Sequence, residues 1–143
     1  MKRDPQLQPL SREHHLVLAQ ARAIRWALSG RAGTPREARS SFLALWNELI
    51  LRHFAAEESW ILPLIERRED AERLRAEHSK LRVLAGELAG EQADVEPDPE
   101  RLRRLAEALD DHVRWEEREL FPAIEATFRG ARRIDTSGEG MAR

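Results

Sequence analysis

The sequence predicts an all-α protein, an antiparallel four-helix bundle running up, down, up, down. Three observations carry this. Charged residues make up 35% of the chain and aromatics only 6%, with little β-branched alternation, a profile that suits amphipathic helices better than strands. Four stretches keep apolar residues at helical spacing, divided by glycine- and proline-bearing connections. The chain also repeats itself, as two helical hairpins of similar pattern in tandem, and short connections make successive helices antiparallel neighbours.

Residues 1–9 hold Pro5 and Pro9 and no periodicity, and read as an N-terminal arm. The bundle is expected over residues 10–130. Ser11 is the candidate N-cap of the first helix, with Glu13 in its first turn. At about 100° per residue, Leu10, His14, Val17, Leu18, Ala21, Ile24 and Leu28 share one face. Gly30 ends it. Thr34-Pro35-Arg36-Glu37 is a capping box with proline at the first helical position. It opens a second helix to about Arg67, with Phe42, Leu45, Trp46, Leu49, His53, Glu57, Trp60 and Leu64 on its inner face. Pro63 falls inside that pattern and should loosen the last turn.

Asp70 caps the third helix, which turns Leu74, His78, Leu81, Ala85 and Leu88 inward and stops at Gly90. A polar loop follows over residues 90–99. Asp98 and Pro99 repeat the cap-plus-proline device and open the fourth helix, with Leu102, Leu105, Leu109, His112, Glu116 and Leu120 inward and a stop at Gly130. Residues 131–143 have no apolar periodicity and read as a disordered tail.

Composition removes several classes of function. A net charge of −2 with both signs interspersed points to neither nucleic acid nor an anionic membrane. Cysteine is absent, which excludes disulfides, thiolate ligands and thiol redox chemistry. Tyrosine is absent as well, so a tyrosine ligand or tyrosyl radical is excluded. No apolar run reaches the length of a signal-peptide core or a membrane span, and a soluble cytoplasmic protein is expected.

The stretch that organises the chain occurs twice, as His53-Phe54-Ala55-Ala56-Glu57-Glu58 and as His112-Val113-Arg114-Trp115-Glu116-Glu117. Aligned on the histidine, both copies have a Glu-Glu pair at +4 and +5, proline at +10, isoleucine at +12 and glutamate at +13. Residues four apart lie one above the other on a helix. Each copy therefore offers an imidazole and a carboxylate from one apolar face. A weaker repeat joins Glu13-His14 to Glu77-His78.

Of five histidines, His14, His53, His78 and His112 fall on inward faces, one per helix, together with Glu57 and Glu116. Glu58 and Glu117 turn toward solvent on the wheel, and His15 lies outside the apolar arc. A lone inward histidine is usually a hydrogen-bonded core residue, and burying a lone glutamate is costly. For six such residues on four converging helices, a metal removes the penalty for all at once. Four imidazoles and two carboxylates exceed the needs of one tetrahedral zinc. Mixed nitrogen and oxygen donors suit iron or manganese, with iron favoured by the abundance of nitrogen. The carboxylates come from equivalent helices and can bridge, so a two-metal centre is preferred. A ferritin-like site needs Glu-x-x-His on two helices, and no inward histidine here has glutamate three residues before it. Trp46 and Trp60 read as core beside His53, and Trp115 as the edge of its face.

These residues resemble the hemerythrin-like (HHE cation-binding) domains, in which helix one carries a histidine, helix two H-x-x-x-E, helix three a histidine, and helix four a histidine with a carboxylate. The resemblance runs from residue 10 to about 128. It implies His14, His53, His78 and His112 as terminal iron ligands and Glu57 and Glu116 as bridges of an oxo- or hydroxo-bridged di-iron centre. Oxygen-carrying hemerythrins have a second histidine in helix three, one turn from the first, where this chain has Leu74 and Arg82. They also place the fourth-helix carboxylate at +5, so Glu117 is the alternative to Glu116. Four histidines with two glutamates look more like the di-iron repair-type members linked to nitric oxide and iron–sulfur stress. Those carry a cysteine-bearing N-terminal segment, and these residues contain no cysteine.

Three functions compete at this point. One is a non-haem di-iron protein that binds or reacts with dioxygen, nitric oxide or peroxide in sensing or stress response. Another is an iron-handling protein that stores and delivers metal without redox catalysis. The third is a metal-free helical interaction module, against which the six inward polar residues argue. The sequence names no protein partner or electron donor.

Overall fold

The computed structural model describes residues 2–142, with side chains through Ala131. Among these residues there is no strand, and four helices pack antiparallel. Helix α1 is Gln8–Ser29. It begins before the expected cap at Ser11, because a turn at residues 4–7 feeds into it: the Asp4 carbonyl accepts from the Leu7 and Gln8 N–H groups at 2.9 and 3.1 Å. The preceding arm is docked rather than free. Leu7 is fully buried, and Arg3 Nη1 donates to Glu125 Oε1 at 2.7 Å. Gly30 closes α1 at φ 76°, a left-handed conformation that glycine adopts without strain.

Helix α2 is composite. It runs as an α-helix over Pro35–Leu45, widens into a π turn at Trp46–Ile50, returns to α over Leu51–Ala56, widens again at Glu57–Ile61 and ends in a 3₁₀ turn, Leu62–Leu64. The Thr34–Glu37 capping box is formed in both directions. Helix α3 is Arg68–Ala89, starting two residues before the expected cap at Asp70 and with no side-chain cap of its own. Helix α4 comprises Pro99–Trp115, a π turn at Glu116–Leu120, and Phe121–Ala142. The Asp98 side chain caps it by accepting from the Glu100 N–H. It runs on through Gly130, which was expected to stop it. Most of the expected tail, residues 131–143, lies outside the described side chains.

The π turns explain where the helical wheel went astray. A π turn closes i→i+5 bonds and holds one residue more than an α turn, so the inward position at the end of each turn moves on by one. Ile50 and Ile61 are fully buried, in the places the wheel gave to Leu49 and Trp60, which are half-buried. The repeated proline belongs to the same device. Leu62 N–H reaches back to the Glu57 carbonyl, and Phe121 N–H to the Glu116 carbonyl. The next residue in each copy is proline, Pro63 or Pro122, which has no N–H to continue the pattern.

Apolar side chains form two clusters. One, containing Ile24, Phe42, Ile50, Leu81, Leu105 and Leu109, fills the end of the bundle toward the α1–α2 and α3–α4 loops. The other, with Leu7, Ile61, Leu74, Leu120, Phe121 and Ile124, fills the opposite end. Each fully buried aliphatic or aromatic side chain contributes about 1.5–3 kcal/mol. Between the clusters lies a layer of buried histidine and glutamate, whose burial is costly unless the groups are paired or hold a cation.

Candidate metal centre

All six inward residues meet in that layer, each no more than 3% exposed. They form two overlapping groups, His14–His53–Glu57–Glu116 and Glu57–His78–His112–Glu116, in each of which the donor atoms lie within 4.8 Å of one another. Glu57 and Glu116 belong to both. Glu57 Oε2 is 3.2 Å from His53 Nε2 and 3.8 Å from His14 Nε2. Its other oxygen, Oε1, is 2.9 Å from His78 Nε2 and 3.9 Å from His112 Nε2. Glu116 Oε1 is 3.0 Å from both His14 Nε2 and His112 Nε2. The remaining histidine, His15, is exposed and outside both groups.

A second layer of carboxylates surrounds the first. His14 Nδ1 pairs with Glu117 at 2.6 Å, His53 Nδ1 with Glu13 at 2.8 Å, His78 Nδ1 with Glu58 at 2.5 Å and His112 Nδ1 with Glu77 at 2.7 Å. A carboxylate on Nδ1 fixes the tautomer with the proton there and leaves the Nε2 lone pair facing inward, as in metal-binding histidines. Glu58 and Glu117 therefore do not point to solvent as the wheel suggested. They flank the neighbouring helix, and three rotatable bonds carry each carboxylate to a ring edge there. Ser11, the misassigned cap, donates its hydroxyl to Glu117.

Aromatic rings close the layer. Phe54 stacks on His78 at 3.9 Å between centroids, and Phe121 on His14 at 5.4 Å. Trp115, expected at the edge of its face, is buried and tilts against the His112 ring.

Burial disfavours the charged form of His14, but the Glu116, Glu117 and Glu57 carboxylates outweigh it and hold its pKa well above the ordinary 6.5. His112 is raised well above the same value despite burial, by Glu116, Glu57 and Glu77. His53 is raised too, burial and repulsion from His14 being overcome by Glu57 and Glu13. Glu57 moves the other way: burial opposes its ionisation, yet the polar surroundings made by Glu116, His112, His14 and His53 hold it well below the carboxylate range.

Whether these residues suit a cation is answered by what they leave unpaired. Glu57 Oε2, Glu116 Oε2 and His112 Nε2 are buried without a hydrogen-bond partner. His112 Nε2 lies 3.0 Å from Glu116 Oε1 but lacks the alignment that a hydrogen bond requires. The His14 and His53 Nε2 atoms face one another at 3.2 Å. With both Nδ1 protons given to carboxylates, two lone pairs would oppose each other unless a proton or metal ion sat between them. The donor set fits a pair of cations.

A family model, the hemerythrin HHE cation binding domain, matches residues 7–133. The chain belongs to this family. No curated protein and no solved structure matches the chain significantly. In this hemerythrin domain the α3 positions one turn either side of His78 have other work: Leu74 is fully buried in the apolar cluster, and Arg82 binds Glu58. No helix among the described residues is long and apolar enough to cross a membrane.

The roles of four residues of the centre escaped sequence reasoning: Glu13, Glu58 and Glu77 were not assigned to it, and Glu117 was weighed only as the alternative to Glu116. A signal for them existed. Glu13 and Glu77 are the glutamates of the repeated Glu-His pair, and Glu58 and Glu117 are the second members of the repeated Glu-Glu pair. Each is adjacent in sequence to one inward residue and serves a histidine on another helix.

Proposed function

We propose that this hemerythrin domain is a binuclear non-haem iron protein that binds and reacts with dioxygen, nitric oxide or peroxide, in sensing or stress response. The observation that carries the reading is the overlap of two histidine pairs on the same two carboxylates. His14 and His53 would hold one ion, His78 and His112 the other, with Glu57 and Glu116 shared between them. Iron is favoured over zinc by the number of donors and their mix of nitrogen and oxygen.

The chain's own contribution is placement and exclusion. Glu13, Glu58, Glu77 and Glu117 aim the four imidazoles. Phe54 and Phe121 cover ring faces and keep water from the layer. When bound, an iron pair supplies one electron per metal and open coordination positions for a small ligand. Each ion would have two histidines and two shared carboxylates, so neither would be saturated by the protein if six-coordinate. That absence of one closed and one open metal supports a reactive centre over a reversible carrier.

Anaerobic loading with ferrous iron should give about two irons per chain. Mixing with oxygen or nitric oxide should then produce a charge-transfer band that argon sparging does not remove. A coloured state that sparging returned to colourless would favour a carrier. Two bound irons inert to both gases would favour iron handling.

A further inference from the structure

The second layer of carboxylates is regular in position but not in support. Glu58 receives two hydrogen bonds from Arg82, at 2.9 and 3.1 Å, besides its bond to His78. Glu77 receives one from Arg73 at 2.7 Å, and Glu117 receives Arg3 at 3.0 Å and Ser11 at 2.7 Å. Glu13 has its bond to His53 and no cationic partner among the described residues. Its side chain is 29% exposed. For the other three, swinging away from the histidine breaks an ion pair as well, whereas Glu13 gives up one hydrogen bond and regains rotamer freedom in water.

The rings differ in the same sense. His78 lies flat on Phe54 at an interplanar angle of 11°, and His14 on Phe121 at 21°. Guanidinium groups lie over both phenylalanine rings as well, Arg82 at 5.8 Å and Arg3 at 5.7 Å. His112 sits against Trp115, which Arg73 covers at 4.5 Å. His53 has only tilted neighbours, His14 at 57° and Phe54 at 58°. His53 shares with His112 the lack of a flat-stacked ring, and it alone of the four leans on an outer carboxylate that no arginine anchors among the described residues.

We propose that the two metal positions are unequal, and that the one between His14 and His53 exchanges first, opened by release of Glu13 from His53. Glu13 is thus a positioning residue whose weak anchorage sets the order of metal loss. The inference rests on the binuclear reading. After one ion leaves, the other keeps His78, His112, Glu57 and Glu116, four donors and enough for a bound metal. A one-metal intermediate is therefore expected.

Protein loaded anaerobically with two ferrous ions, then mixed with excess coloured ferrous chelator, gives the test. The wild type should release iron in two steps of about one ion each. Glu13→Ala should accelerate the first step about tenfold, the lower end of what losing such a partner costs a metal site, and leave the second unchanged. Glu77→Ala should accelerate the second. Pro9 is exposed and lies four residues before Glu13, the spacing at which Arg73 holds Glu77. Pro9→Arg should therefore supply the missing cation and slow the first step several-fold, and Glu13→Ala should abolish that slowing. Uptake of fewer than two irons by the wild type overturns the binuclear reading and this inference with it. Two irons released at rates indifferent to Glu13→Ala and Pro9→Arg overturn this inference alone.

Discussion

The two hairpins, α1 with α2 and α3 with α4, match in the donors they bring to the centre and differ in how their helices are joined. Each supplies two inward histidines, one shared carboxylate and two outer carboxylates, and each widens into a π turn directly at the shared glutamate. Their connections share only the cap-plus-proline ending, Thr34-Pro35 in one and Asp98-Pro99 in the other. The first is a short turn closed by a capping box at Thr34. The second is a long polar loop pinned from outside its own hairpin: Arg39 of α2 bonds Glu91 at 2.9 Å and the Ala93 and Val95 carbonyls at 2.9 and 2.8 Å. Chemistry at the centre requires matched donors from both hairpins, whereas a loop has only to close. The likeness is thus a property of the site rather than of the hairpin as a unit.

The largest expected effect tests the shared carboxylates. Glu57→Ala and Glu116→Ala should each abolish binding of both metals, read by metal analysis after desalting, because each residue serves both histidine pairs. A Glu57→Ala protein that retained two irons would break the equivalence of the hairpins at the centre.

The connections should respond unequally. Arg39→Ala removes a guanidinium whose side chain is 4% exposed from a carboxylate 10% exposed, and should cost on the order of 3 kcal/mol. Thr34→Ala removes one helix cap and should cost about 1 kcal/mol. Chemical denaturation of the metal-free variants measures both. Equal losses would mean that Arg39 does no more than an ordinary cap.

Smaller and graded is the effect of pH on the metal-free chain. His14, His53 and His112 have folded pKa values raised above 6.5. Their stabilisation is complete below that value and is lost as pH rises through the folded pKa values. Glu57, lowered from 4.5, contributes above that value and loses its contribution as pH falls toward its folded pKa. Metal-free protein should thus be most stable between about pH 4.5 and 6.5. Metal must expel the same imidazolium protons, so its affinity should climb with pH through 6.5 and above. Thermal unfolding at several pH values, with and without metal, checks this; a metal-free chain that gained stability from pH 6 to 9 would contradict it.

The smallest effect concerns neighbours in sequence. His14→Ala should lower metal content, whereas His15→Ala should leave it nearly unchanged. The opposite result would mean that α1 presents its other face.

Four helices and six inward residues were legible in the sequence because both rest on short-range periodicity: apolar arcs at helical spacing, and a histidine with a glutamate four residues on. The π turns were not legible, since an i→i+5 bond has no compositional mark. Pro63 and Pro122 were their trace, the first read as helix loosening and the second only as part of the repeat. The wheel consequently misplaced Leu49 and Trp60 by one position each. Glu13 and Glu77 were invisible as partners because their histidines stand on other helices, a relation that periodicity within a helix cannot express. Nothing in the sequence sets Arg39 apart from a surface arginine, and only the fold of the distant loop buries it.

Glu13 links α1 to α2, Glu58 links α2 to α3, Glu77 links α3 to α4, and Glu117 links α4 back to α1. The links form a closed hoop, and its last member is contributed by the last helix. During synthesis a nascent chain lacking α4 has neither His112 nor Glu116, and its His14 has no partner at Nδ1. Metal capture in the finished geometry must therefore wait until the ribosome has released the chain beyond Glu117. An ion that binds earlier meets only part of the donor set, and the hoop closes around it or not at all.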